Sequence, residues 1–150
     1  MNILVTVGTT RFDSLITAVE TSQFLQSHEV TVQCANGQKS KNFDCTEFIE
    51  DIDAAYQQAD LIVTHAGAGS VFRLLEAGQR ILVVPNLERE DDHQKELAQF
   101  VDDSQYGLVC YDLARLDETL HKAATFSAEP YKKTEFHVAQ EIVEWIKELD

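Results

Sequence analysis

Short apolar runs rich in β-branched residues alternate along this chain with stretches whose apolar positions recur at helical spacing. Ile3 to Val7, Val30 to Val32, Cys45 to Ile49, Asp60 to Thr64, Ile81 to Pro85 and Leu108 to Tyr111 read as strands, the third being the weakest. Helices are predicted from about Asp13, with Leu15, Ile16, Val19, Phe24 and Leu25 as one apolar side, over Ile52 to Gln58, and from Ser70 to near Gly78. Another spans Asp92 to Val101. Two more close the chain, the last with Phe136, Ala139, Ile142, Val143, Ile146 and Leu149 at helical spacing. The unbroken run Ile81-Leu82-Val83-Val84 fits a strand covered on both faces. This order predicts an α/β fold, a doubly wound, Rossmann-like parallel sheet, formed by residues 1–150 as one domain.

In such sheets ligands bind beyond the carboxyl ends of the strands. Three polar loops fall there: Gly8-Thr9-Thr10, His65 to Ser70, and Asn86 to Gln94. The second, His65-Ala66-Gly67-Ala68-Gly69-Ser70, follows the strong strand and opens a helix. A helix start presents unpaired backbone N–H groups and the positive end of its dipole, so it attracts anions. N–H donors are expected at Gly69, Ser70 and Val71, with the Ser70 hydroxyl beside them. His65 adds a donor or a positive charge. Alone, His65 is more often a structural hydrogen-bonder, and Asp91, Asp92 and His93 read as a helix cap and a solvated helix residue.

Composition narrows the partners. The 150 residues carry a formal charge of −14, which argues against nucleic acid and against independent docking on an anionic membrane. No run approaches the roughly 20 apolar residues that span a bilayer, and the N-terminus lacks a basic leader. Cys34, Cys45 and Cys110 show no metal or C-x-x-C spacing, so buried free thiols in a cytoplasmic protein are expected, with no metal and no cofactor.

The joint spacing is more specific than any piece. His65-x-Gly67-x-x-Ser70, a helix, Gly78, an apolar strand ending at Pro85, then Asp91-Asp92-His93-Gln94, supported by Val5-Thr6-Val7-Gly8-Thr9-Thr10, resembles the C-terminal, donor-binding half of GT-B glycosyltransferases. It is most similar to single-domain catalytic subunits of two-chain transferases that act in N-glycan precursor and bacterial exopolysaccharide synthesis. The likeness runs from Ile3 to about Tyr111 and weakens beyond.

The resemblance implies a UDP-sugar donor whose diphosphate is gripped by Gly8, Thr9, Thr10, His65, Gly67, Ala68, Gly69 and Ser70. Arg73, Glu76, Asn86, Asp92, His93 and Gln94 become candidates for sugar and ribose contacts. It implies a hexosyltransferase, inverting at the anomeric carbon, acting on a lipid-linked acceptor held by a membrane-anchored second polypeptide; no carboxylate of this chain can be assigned as the base from spacing, which leaves the partner open as its source. The chain itself is then cytoplasmic and peripheral to the membrane, with its final helix open to either partner binding or its own sheet. One position departs. Eight residues past the histidine the wider fold carries a ribose-gripping acid, and here stands Arg73. Either Glu76 takes over, backbone groups hold the ribose, or affinity falls, with Arg73 paired to Glu76 or facing a phosphate. A non-catalytic nucleotide-sugar-binding module stays open, as does a homodimer of the isolated chain.

Overall fold

The computed structural model of the protein describes residues 1–35, 37–90, 92–133 and 144–148. Asn36, Asp91 and most of the expected final helical stripe (Phe136, Ala139, Ile142, Val143 and Leu149) lie outside the described residues. Strands β1 (Asn2–Thr6), β2 (Glu29–Gln33), β3 (Cys45–Thr46), β4 (Leu61–His65), β5 (Ile81–Val84) and β6 (Leu108–Val109) form one sheet in the order β3-β2-β1-β4-β5-β6. Every pairing is parallel. The helices are α1 (Asp13–Thr21), α2 (Gln23–Gln26), α3 (Ile52–Gln58), α4 (Ala68–Glu76), α5 (His93–Asp103) and α6 (Leu116–Thr125).

The two-residue period of the strands splits the core into two layers. Ile3, Val5, Leu61, Val63, Leu82 and Val84 face α1, α2 and α6, while Leu4, Ile62, Ile81 and Val83 face α3, α4 and α5. Both faces are therefore covered, as continuous apolar strands require. Strand order reverses between β1 and β4, and the paired ends Thr6 and Thr64 place their following loops side by side. That reversal creates the crevice.

Four local expectations are corrected. The first helix breaks at Ser22, whose hydroxyl accepts from Leu25 N at 3.1 Å and donates to Asp117 Oδ1, so α2 starts anew under α6. The third strand shortens to two residues at the sheet edge. Helix α4 begins at Ala68 rather than Ser70 because Ala68 is buried, and packing outweighs the low helix propensity of the glycine-bearing segment. Cys34 and Cys45 are joined in a disulfide, not held as separate thiols. Parallel pairing of Val32 with Cys45 brings the two cysteines together, with Cα atoms 5.9 Å apart. Cys110 is a buried free thiol.

Candidate donor site

The loops after β1 and β4 meet over one imidazole. Gly8 has φ +67°, a left-handed conformation, and a Cβ there would come within 2.7 Å of His65 Cε1. On the other side, a Cβ on Gly67 would overlap His65 Nε2. Glycine is demanded at both positions so that two stretches of backbone can close on the ring. His65 is half-buried, and its Nδ1 has no well-formed hydrogen bond among the described residues. Burial pulls its pKa down to about 4; the Thr6 backbone opposes this and the Arg89 charge adds to it. The imidazole is thus neutral near pH 7. Of the two roles expected for His65, the structure favours the neutral donor over the cation.

Helix α4 aims its N-terminus into the same space. Gly67 is its N-cap, and Val71 N already donates to Gly67 O at 2.9 Å. The expected set of donors therefore shifts by one: Ala68, Gly69 and Ser70 carry the N–H groups that helix geometry leaves unpaired. An open cleft of about 480 Å³ runs from Thr6, Gly8 and Thr9 past Gln33 to Ser70 and Arg73. Thr10 lies exposed beside it.

Its far wall was missed by sequence reasoning. Glu47, Phe48, Ile49 and Ile52 line it, with Phe48 76% exposed, an aromatic face turned outward at the rim of a polar cleft. Phe48 sits in the segment read as a strand, so its alternation masked it. Tyr56 closes the floor, and burial pushes its phenol up against the opposing pull of Arg73 and the Ser70 hydroxyl.

The remaining candidates divide. Arg73 lines the cleft but pairs with Asp53 Oδ2 on α3, not with Glu76. Glu76 turns away and meets Lys133 Nζ at 3.2 Å. The third loop is built around Gln94, which is buried; its Oε1 accepts from Ala66 N at 3.3 Å and Asn86 N at 2.9 Å. Gln94 thus ties the end of β4 to the end of β5 through its side-chain oxygen. Asn86 is buried too, its Oδ1 accepting from Glu88 N at 3.2 Å. Asp92 occupies the N-cap position of α5 without a side-chain capping bond, and stays exposed. His93 Nε2 meets Glu148 Oε2 at 2.9 Å, so the helical segment 144–148 covers it. No cluster of His, Cys, Asp and Glu among the described residues fits a metal ion. No described helix is long and apolar enough to cross a membrane.

Residues 2–149 match the glycosyltransferase family 28 C-terminal domain. The chain belongs to that family. It is 35% identical over 111 residues to the UDP-N-acetylglucosamine transferase subunit ALG13 of Homo sapiens, covering 65% of this chain and 10% of that protein. Against the UDP-N-acetylglucosamine--N-acetylmuramyl-(pentapeptide) pyrophosphoryl-undecaprenol N-acetylglucosamine transferase of Bordetella petrii it is 40% identical over 83 residues, 55% of this chain and 23% of that protein. These matches span a quarter or less of each curated relative. The crystal structure of MurG from Acinetobacter baumannii superposes with a TM-score of 0.62 at 24% identity, covering 96% of this chain and 52% of that one. The family 28 domain here therefore has the fold of one half of a GT-B protein.

Proposed function

We propose that residues 1–150 are a single donor-binding domain, the UDP-sugar-binding catalytic subunit of a two-component glycosyltransferase. The observation that carries this reading is the α4 N-terminus facing the Gly8 loop across a neutral His65, in a cleft whose far rim is the exposed Phe48. Backbone N–H groups from α4 and from Thr9 and Thr10 stabilise the leaving diphosphate, and they do so on a chain of net charge −14 because the field is local. His65 and the Ser70 hydroxyl add neutral donors. Phe48 offers a flat face to the uracil ring, and Asp92 with Gln94 Nε2 orients the hexose.

The acceptor, a lipid-linked sugar, is held by a membrane-anchored second polypeptide that also brings the base. The chain is then cytoplasmic and reaches the membrane through that partner. The human and Bordetella relatives are N-acetylglucosamine transferases, which makes UDP-N-acetylglucosamine the first donor to test.

Calorimetry of the full chain with UDP, UDP-N-acetylglucosamine, UDP-glucose and UDP-galactose tests the donor role. Binding of UDP, weakened by Ser70→Ala, is expected; a chain that binds none of the four overturns it. Arg73 in the acid's place is the feature that favours a non-catalytic binding module instead. Sugar transfer by the chain together with its membrane partner, and none by the chain alone, decides for the transferase.

A further inference from the structure

Gln33 belongs to none of the loops that the family pattern marks, yet it makes the densest set of hydrogen bonds at the cleft. It ends β2 beside Thr6 of β1 and is 7% exposed. Its Oε1 accepts from Thr6 Oγ1 at 2.7 Å, Val7 N at 3.2 Å and Gly8 N at 3.0 Å. Its Nε2 donates to Gly8 O at 2.9 Å, Cys34 O at 3.1 Å and Glu47 O at 3.0 Å. Backbone N–H groups surround the oxygen and carbonyls surround the nitrogen, so the amide has one possible orientation. Only a carboxamide satisfies both sets. Glutamate has no donor for three carbonyls, and asparagine is one methylene short.

We propose that Gln33 is the positioning residue of the diphosphate grip; this rests on the donor reading above. Both backbone polar groups of Gly8 are taken by Gln33, so Gly8 itself has no N–H left for a ligand. What Gln33 fixes is the direction in which the chain leaves Gly8, and with it the N–H groups of Thr9 and Thr10. Through Glu47 O the same amide anchors the residue before Phe48, holding the phosphate wall and the base wall at one spacing. A single buried side chain therefore sets the distance between the two ends of the nucleotide.

The test compares UDP with UMP, which share base, ribose and one phosphate, on the full chain by calorimetry. Gln33→Met keeps the length and removes every polar contact; Gln33→Glu keeps the acceptor and removes the donor. Both are expected to lower UDP affinity about tenfold or more while changing UMP affinity by less than about threefold, since each hydrogen bond to an ion carries roughly a factor of ten. Equal losses for both ligands, whatever the thermal stability, mean a purely structural residue and overturn the proposal. Where both variants fail to fold, Thr6→Val decides: it frees one lone pair of Oε1 in an isosteric background, and should reduce the UDP-to-UMP preference about threefold. An unchanged preference there overturns the proposal as well. Wild-type protein that binds no UDP defeats the donor reading instead, so the two failures are distinct.

Discussion

The two walls of the phosphate cleft do the same work by different means. On the α4 side, the helix aligns its own N–H groups, and every residue involved lies between His65 and Ser70. On the β1 side, Gly8 to Thr10 form no regular element and are held by the side chain of Gln33, 25 residues further along the chain. A locally built wall is stiff as soon as its helix forms. A wall built from a distance is only as well placed as the residue that holds it, and that makes it the more tunable of the two.

Breaking the helix side should cost most. Gly67→Val drives a branched side chain into the His65 ring and shifts the N-cap of α4. Displacing the α4 start takes two of its N–H groups off the phosphates, about a factor of ten each, so UDP affinity measured by calorimetry should fall by about 100-fold. A loss below about threefold would show that the α4 start is not the principal grip. Gly69→Ala is the internal contrast, because a Cβ there meets nothing within 4 Å and the loss should be far smaller.

The loop side should be the weaker of the two. Gly8→Ala combines a left-handed backbone with a Cβ 2.7 Å from His65 Cε1. The left-handed conformation costs about 1–2 kcal/mol for an L-residue, and a loop that relieves it by turning away loses about one N–H bond to the phosphate, roughly a tenfold loss of UDP affinity. Part of the cost will appear in thermal stability, since the strain is present without ligand. A loss larger than that of Gly67→Val would reverse the ranking of the two walls.

The contrast also explains what could be read from the chain. Helix α3 falls where its pattern placed it, over Ile52–Gln58, because its apolar spacing and the Asp51 cap on Ala54 N at 3.0 Å are local. The His65 to Ser70 wall is contiguous, so its chemistry lies in the order of residues. Gln33 looks like any polar position of an alternating strand; its significance comes from the register that sets it beside Thr6. The Cys34–Cys45 disulfide arises likewise from pairing between strands, which no cysteine motif announces. Phe48 stood in an apparent strand that tertiary pairing cut to two residues. Local order was readable; contacts fixed by strand pairing were not.

Arg73 sits between these cases, since its departure was visible and its partner was not. It holds Asp53, so a carboxylate of α3 stands against the one α4 position where the resemblance implies an acid. Both side chains are about half exposed, which limits the pair itself to a small contribution. Asp53→Ala should weaken UDP about threefold, one hydrogen bond's worth, and leave the 2′,3′-dideoxy analogue of UDP unaffected. Equal effects on both ligands would remove Asp53 from the ribose.

The smallest expected effect concerns the residue both walls share. Were His65 a cation gripping the diphosphate, UDP-sugar affinity would fall as pH rises through about 6.5, the ordinary histidine value. With its pKa at about 4, the ring is neutral across that range, and affinity should change less than about twofold between pH 6 and 8. UDP-glucose suits the measurement because its diphosphate has no proton to lose there. In the free protein, NMR of the His65 ring should show titration near 4. The sign for stability follows: the unfolded chain takes up a proton near 6.5 and the folded one does not until about 4. His65 thus favours the unfolded state increasingly as pH falls through that window, and its contribution is fully restored above it. A ring that titrates near 6.5, with affinity falling in step, would return the charge to His65 and shift the grip from the backbone walls to the side chain between them.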